Sequence, residues 1–222
     1  MKRGNKDCLI CVQGCSGCDN KMKERFISEY KDNIFTTNGT DELLKIDNTT
    51  GYDMKMNRVW AMPNKWTFTI KPIRELLQEE VFFGLWIDPF AGENGHLYAK
   101  ITNDLSNGGI DALEFLKKHK TDEFDGLLFD PPYSITQAKQ CYEGHGMDKL
   151  DTKPTSMKYW ADCKNEVARI IKPGGKAICF GWNSMGLGKN RGFEMQRILL
   201  VPHGGSKNDT IVTVEKKVLT HQ

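Results

Sequence analysis

Gly126-Leu127-Leu128-Phe129-Asp130-Pro131-Pro132-Tyr133 runs from a small residue and three apolar ones into an acid, two prolines and an aromatic ring. The apolar half reads as a short strand of a parallel sheet, which is covered on both faces and so shows a continuous apolar run instead of alternation. The prolines cannot extend a central strand, since neither has the N–H that a ladder needs. The chain must therefore turn just after Asp130. That sets a carboxylate at the carboxyl end of a buried strand, where open α/β sheets bind their ligands.

Working outward, the pattern recurs. Phe82-Phe83-Gly84-Leu85-Trp86-Ile87 reads as another buried strand and opens into Asp88-Pro89-Phe90-Ala91-Gly92-Glu93-Asn94-Gly95. His96 to Thr102 reads as a strand ending at Asn103-Asp104, and Asp111 is placed to cap a helix from Ala112 to Lys118. Upstream, Pro72 suits a first helical turn, with Ile73, Leu76 and Leu77 on one face. Downstream, Pro154 to Ile171 has helical spacing and is stopped by Lys172-Pro173-Gly174-Gly175, followed by a strand from Lys176 to Trp182. Phe193 to Val201 and Thr210 to Val214 read as two strands of a hairpin-like ending. The expected fold is α/β, a doubly wound and mostly parallel sheet with an antiparallel edge strand. Asp88, Asp104, Asp111 and Asp130 are expected to converge on one crevice.

At 222 residues with 39% hydrophobic content, the chain can bury one sizeable core. A formal charge of +2 does not by itself point to a polyanionic partner. No apolar run approaches the roughly 18 residues of a membrane span, and no signal-peptide core is evident, so a cytoplasmic protein without membrane contact is expected. Residues 1–50 differ in character and read as a small Cys-rich appendage and linker ahead of a catalytic domain over 51–222. Of the seven cysteines, Cys8, Cys11, Cys15 and Cys18 form two closely spaced Cys-x-x-Cys pairs. Tetrahedral zinc is the preferred reading, with an iron–sulfur cluster or no metal as alternatives. Cys141, Cys163 and Cys179 read as buried apolar residues, and no histidine is given a chemical role.

In motif and order, residues 65 to 217 resemble the S-adenosylmethionine-dependent amino-methyltransferases that act on adenine N6 or cytosine N4 in DNA, in particular the small phage or prophage type. Thr69-Ile70-Lys71-Pro72-Ile73-Arg74-Glu75-Leu76-Leu77 is similar to the family's Thr-x-Lys-Pro segment, and Asp88 to Gly92 to its Asp-Pro-Phe-x-Gly loop. The resemblance implies a seven-stranded Rossmann-like methyltransferase sheet. It also implies a cofactor site made by Thr69, Lys71, Pro72, Asp88, Pro89, Phe90, Ala91, Gly92, Asn94, Asp104, Asp111 and Ala112. Within that set Asp104 would receive the ribose hydroxyls, and Asp111-Ala112 would flank the cofactor's adenine. Asp130, Pro131, Pro132 and Tyr133 match the catalytic motif. The family usually has a second glycine two residues after the first, whereas this chain reads Gly92-Glu93-Asn94-Gly95.

The chemistry agrees with the motif. An exocyclic base amine is a poor nucleophile because its lone pair is delocalised into the ring. Asp130 can accept one amine hydrogen and the Pro131 carbonyl the other, while Tyr133 offers a ring on which an extruded base can stack. The expected partner is DNA in a bacterial host cell, with RNA as the alternative substrate and an inactive zinc-containing binding module as the alternative of another class. No separate target-recognition domain of ordinary size is evident. Specificity is thus expected in the loops Ser134–Lys153 and Gly186–Gly192, the latter carrying Lys189, Asn190 and Arg191, in the cysteine segment, or in another subunit.

Overall fold

A computed structural model of the chain describes residues 54–92, 95–134, 136–138, 156–205 and 207–218. The four cysteines of the expected metal site, Asn94 and most of the loop Ser134–Lys153 lie outside the described residues.

Seven strands, β1 (Lys55–Arg58), β2 (Trp86–Asp88), β3 (Ile101–Thr102), β4 (Phe124–Phe129), β5 (Ile171–Gly181), β6 (Phe193–Val201) and β7 (Thr210–Lys217), form one sheet in the order β1-β6-β7-β5-β4-β2-β3. Every pairing is parallel except the two made by β7. Among the described residues, the longer helices that cover the sheet are α1 (Lys71–Glu80), α2 (Ala112–Lys117) and α3 (Met157–Ile170).

Side-chain alternation shows that the sheet is doubly wound. On β4, Leu128 belongs to one core cluster, while Leu127 and Phe129 belong to the other; on β5, Ile178 and Phe180 are separated in the same way from Ala177 and Cys179. The first cluster takes Ile73, Leu76 and Leu77 of α1. With Pro72 they are the buried residues of that helix and lie three and four apart, as one helical face requires. Each such aliphatic side chain contributes about 1.5–3 kcal/mol when fully buried. The second cluster takes Tyr159, Cys163, Val167 and Ile170 of α3, whose start is capped by the Ser156 hydroxyl accepting the Tyr159 N–H at 3.1 Å.

The expected fold class is the one found, with corrections in detail. The antiparallel strand is not at the edge. The β6–β7 hairpin sets β7 against β5 and β6 beyond it, and β1, a strand not foreseen, pairs with the outer side of β6. The run Phe82 to Ile87 is a strand only from Trp86. Phe82 and Phe83 are 51% and 69% exposed, because Gly84 at φ +92° turns the chain between the end of α1 and β2. His96 to Thr102 contributes only Ile101–Thr102 to the sheet, with Gly95–Leu97 forming a 3-10 turn. Lys172 to Gly175 does not separate helix from strand. It lies within β5 at a register irregularity opposite Phe124 and Gly126. Among the described residues no helix is long and apolar enough to cross a membrane.

Candidate active site

The carboxyl ends of β2, β3 and β4 open into one cavity of about 410 Å³, of the size that small-molecule ligands occupy. At one end it is walled by Pro89, Phe90, Gly92, Asp104, Ile110 and Ala112, and at the other by Asp130, Pro131, Pro132 and Tyr133. The four residues of the catalytic motif are thus gathered on one crevice with Pro89, Phe90, Gly92, Asp104 and Ala112 of the foreseen cofactor set.

The loop after β2 is held from both sides. Asp88 is fully buried, and its Oδ1 accepts the Phe90 N–H at 2.9 Å, while its Oδ2 has no hydrogen-bond partner. Burial drives its carboxyl well above the ordinary range, the Phe90 bond opposes this, and the nearby charges of Asp130 and Asp104 add to it. Asp104, following β3, reaches across to accept the Gly92 N–H on Oδ2 at 2.9 Å and takes the Ser106 N–H on Oδ1 at 2.8 Å. Asn107 donates to the Gly92 carbonyl at 2.8 Å. The Gly92-to-Gly95 spacing has a steric basis at its second glycine: a Cβ on Gly95 would collide with Ala91 and with the Asp88 carboxylate. Ala91 itself lines an adjoining pocket with Thr102 and Asn107.

At the other end, the Tyr133 hydroxyl donates to Asp130 Oδ1 at 2.5 Å, and Thr67 lies beside the same carboxyl. Desolvation by the surrounding protein raises the Asp130 carboxyl to about 6, with the Tyr133 bond and Thr67 pulling the other way. Burial, and then the charge of Asp130, keep the Tyr133 phenol protonated well past its usual range. The Tyr133 N–H donates to Gln137 Oε1 at 2.9 Å, and its ring stands edge-on to Trp182, with centroids 5.8 Å apart and planes at 72°.

Other foreseen residues stand away from the cavity wall. The Thr69 hydroxyl donates to the Trp66 carbonyl at 2.8 Å, Lys71 is exposed beside Glu75, and Pro72 is buried in the first turn of α1. The Asp111 carboxylate caps α2 by accepting the Leu113 and Glu114 N–H groups, and its Oδ2 accepts the Tyr159 hydroxyl at 2.7 Å. Two residues without a foreseen role are central. Thr67 lines the cavity beside Asp130, and the buried Asn103 donates to the Pro89 and Ile110 carbonyls while accepting the Ile110 N–H at 3.0 Å. Asn103 thereby ties the β2 loop to the approach to α2. In the rim loop Gly186–Gly192, Arg191 is engaged by Asn165 and the Leu187 carbonyl. Among the described residues no cluster of His, Cys, Asp and Glu is suited to hold a metal ion.

No family model and no curated protein matches the chain. Solved structures resemble it at low identity. TrmN from Thermus thermophilus is 16% identical over 67% of this chain and 49% of its own length, with a TM-score of 0.44, so the chain spans about half of that protein. The 1,6-didemethyltoxoflavin-N1-methyltransferase of Burkholderia thailandensis is 11% identical over 67% of this chain and 78% of that one, with a TM-score of 0.45. The N-methyltransferase NodS of Bradyrhizobium japonicum is 9% identical over 67% of this chain and 96% of its own, with a TM-score of 0.41.

Proposed function

We propose that this chain transfers the methyl group of S-adenosylmethionine to the exocyclic N6 amine of adenine in DNA. One observation carries the reading: Asp130, Pro131 and Tyr133 share a single cavity with the Gly92–Asp104 end. A cofactor and a base amine could therefore meet there without either leaving the crevice.

The residues present fit the cofactor. Asp104 offers a carboxylate to ribose hydroxyls, Ile110 and Ala112 offer apolar wall to a purine, and the Asp104–Gly92 bond holds the loop between them. S-adenosylmethionine supplies an electrophilic methyl on a sulfonium. The protein's contribution is placement. A carboxylate has about four lone-pair sites, so the Tyr133 hydroxyl bound to Asp130 leaves room for one amine hydrogen while fixing the group's orientation. The Pro131 carbonyl is the natural acceptor for the second hydrogen, and the two prolines stiffen the turn that presents it. Accepting both hydrogens raises electron density on the nitrogen as it aligns with the methyl, and positioning of this kind can supply much of the acceleration. The proton lost from the amine passes to Asp130 or to water.

The test is incubation of the full chain with labelled S-adenosylmethionine and DNA or RNA, digestion to nucleosides and identification of the methylated base. N6-methyl-2′-deoxyadenosine from DNA is expected. Asp130→Ala should lower turnover by at least about a hundredfold with cofactor affinity nearly unchanged. Unaltered turnover would place the amine elsewhere, and label in cytosine or in protein would refute the acceptor.

A further inference from the structure

We infer that the surface leading from Tyr133 to the segment ahead of Thr67 is a track for an unpaired polynucleotide strand, so that the substrate is single-stranded nucleic acid. The inference rests on the proposed reaction for what lies at the end of the track, but the track itself is argued from separate residues.

In a sheet whose strands β4, β5, β6 and β1 run parallel, their carboxyl ends share one edge. Tyr133 follows β4, Trp182 follows β5, and Trp60 follows β1. The strand order puts four inter-strand spacings between β4 and β1, a span of roughly 19 Å at about 4.8 Å each. Apolar groups that a water-soluble surface would ordinarily cover lie along this edge. Trp60 is 58% exposed and Met62 68%, while at the end of β5 Trp182 is partly exposed beside the 75% exposed Met185. Trp60 is not on a loose tail, since the Val59 and Ala61 N–H groups bond to the Leu200 and Pro202 carbonyls on either side of it.

Cations are interleaved with these rings. Arg58 and Lys207 are exposed at the same edge, and the Lys65 ammonium sits 4.3 Å from the Trp66 ring centroid. The chain then passes from Trp66 directly into Thr67, which lines the cavity beside Asp130. At the other end Trp182 touches Tyr133. The edge thus adjoins the site through the Trp182–Tyr133 ring contact, and its far side is tied to the site by the chain that leads into Thr67.

Rings and a few spaced cations are what an unpaired strand uses, since its bases have open faces to stack and its phosphates need only local neutralisation. Intact duplex offers no open base face, and proteins that hold it depend on many lysines and arginines releasing counterions. An unpaired strand also spares the cost of extruding adenine from a duplex before Asp130 can reach it.

The test uses the full chain with saturating S-adenosylhomocysteine. Fluorescence anisotropy is measured with one labelled, adenine-containing sequence as single-stranded DNA, single-stranded RNA and duplex DNA. At least tenfold tighter binding of a single strand than of the duplex is expected, the two single-strand arms identifying the polymer. Trp60→Ala should weaken single-strand binding about tenfold, Trp60→Phe should largely restore it, and S-adenosylhomocysteine affinity should stay the same. Should Trp60→Ala fail to fold, the exposed charge reversal Lys65→Glu takes its place with the same expected loss. Phe83→Ala, exposed at the amino end of β2, is the control that leaves binding unchanged. Equal affinity for duplex, or a strand affinity indifferent to Trp60 and Lys65, would overturn the track. Strand binding that depends on Trp60 without any methyl transfer would instead refute the proposed reaction and leave the track standing.

Discussion

Asp130 has two properties that pull against each other. In the proposed reaction it accepts an amine hydrogen more strongly when ionised, and its surroundings hold its carboxyl at about 6. As pH falls through about 6 the carboxylate gives way to the weaker carbonyl acceptor of the acid, so the rate of the proposed methylation should fall by up to about tenfold per pH unit below that point, toward the level of a neutral acceptor. Asp130→Asn keeps a carbonyl acceptor and cannot titrate. It should work more slowly, but its rate should be flat across the same range; an acid limb that survives in Asp130→Asn would assign the titration to another group. Asp130 and Tyr133 were legible in the sequence because their residue types state their chemistry and the prolines state the turn. Thr67 was not, because a threonine hydroxyl becomes a positioning group only when the fold brings it against Asp130. Asn103 likewise acts through the carbonyls of Pro89 and Ile110, which no spacing rule connects. Asp111 is an intermediate case. The sequence placed it at a helix start, and its carboxylate is taken up by that cap and by Tyr159.

Elements were read well where periodicity was long and poorly where apolar runs were short. The helix face of α1 and the full span of β6 followed from spacing alone, whereas Phe82-Phe83 shared the composition of a strand and belongs to a turn. Burial in a short run depends on what covers it, and that information is remote in the chain. The place of β7 has the same character, since a hairpin signal pairs β6 with β7 but does not say which of them meets β5. The loop after β5 shows how such remote contacts fix an element. The buried Glu215 of β7 accepts the Leu187 and Gly188 N–H groups at 2.6 and 3.0 Å, and Lys164 of α3 donates to the Gly186 carbonyl at 2.6 Å. Gly186, at φ +53°, sits so close to the Glu215 carboxylate that a Cβ would collide with it; Gly192, at φ +79°, has open space. Both positions strain a side chain through the backbone, by about 1–2 kcal/mol. Only Gly186→Ala adds the collision, so it should lower the melting temperature by at least about 2 °C more than Gly192→Ala, whose own loss should be roughly 2–8 °C. Equal shifts in a calorimetric comparison would mean that Glu215 does not hold the loop.

At the scale of the described residues as a whole, the buried acids set a pH dependence of stability opposite in sign to that of the proposed reaction. Asp88, Asp130 and Glu215 all have carboxyls raised above their ordinary values, in each case first by burial. A raised carboxyl binds its proton more tightly in the folded chain than in the unfolded one. Between the ordinary carboxylate range near 4 and the raised values, the folded state therefore carries more protons, and stability increases as pH falls. For Asp130 that window closes at about 6. Asp125 and Glu123 act the other way. Asp125 is lowered first by its bond from Lys172 and Glu123 first by the Lys120 N–H, so what they contribute is lost only below the ordinary range. The two sets act in different intervals, and a stability maximum well on the acid side of neutrality, near the ordinary carboxylate range at about pH 4, follows. Calorimetric scans from pH 7.5 to 5 should show the melting temperature rising by roughly 2–4 °C for about 1 kcal/mol gained, over the interval in which methyl transfer declines. In Asp130→Asn the rise should be smaller, because one of the protons taken up on folding is gone. A melting temperature that fell steadily over that range would mean these acids are hydrated in solution, and the dry cavity floor on which the proposed chemistry depends would not exist.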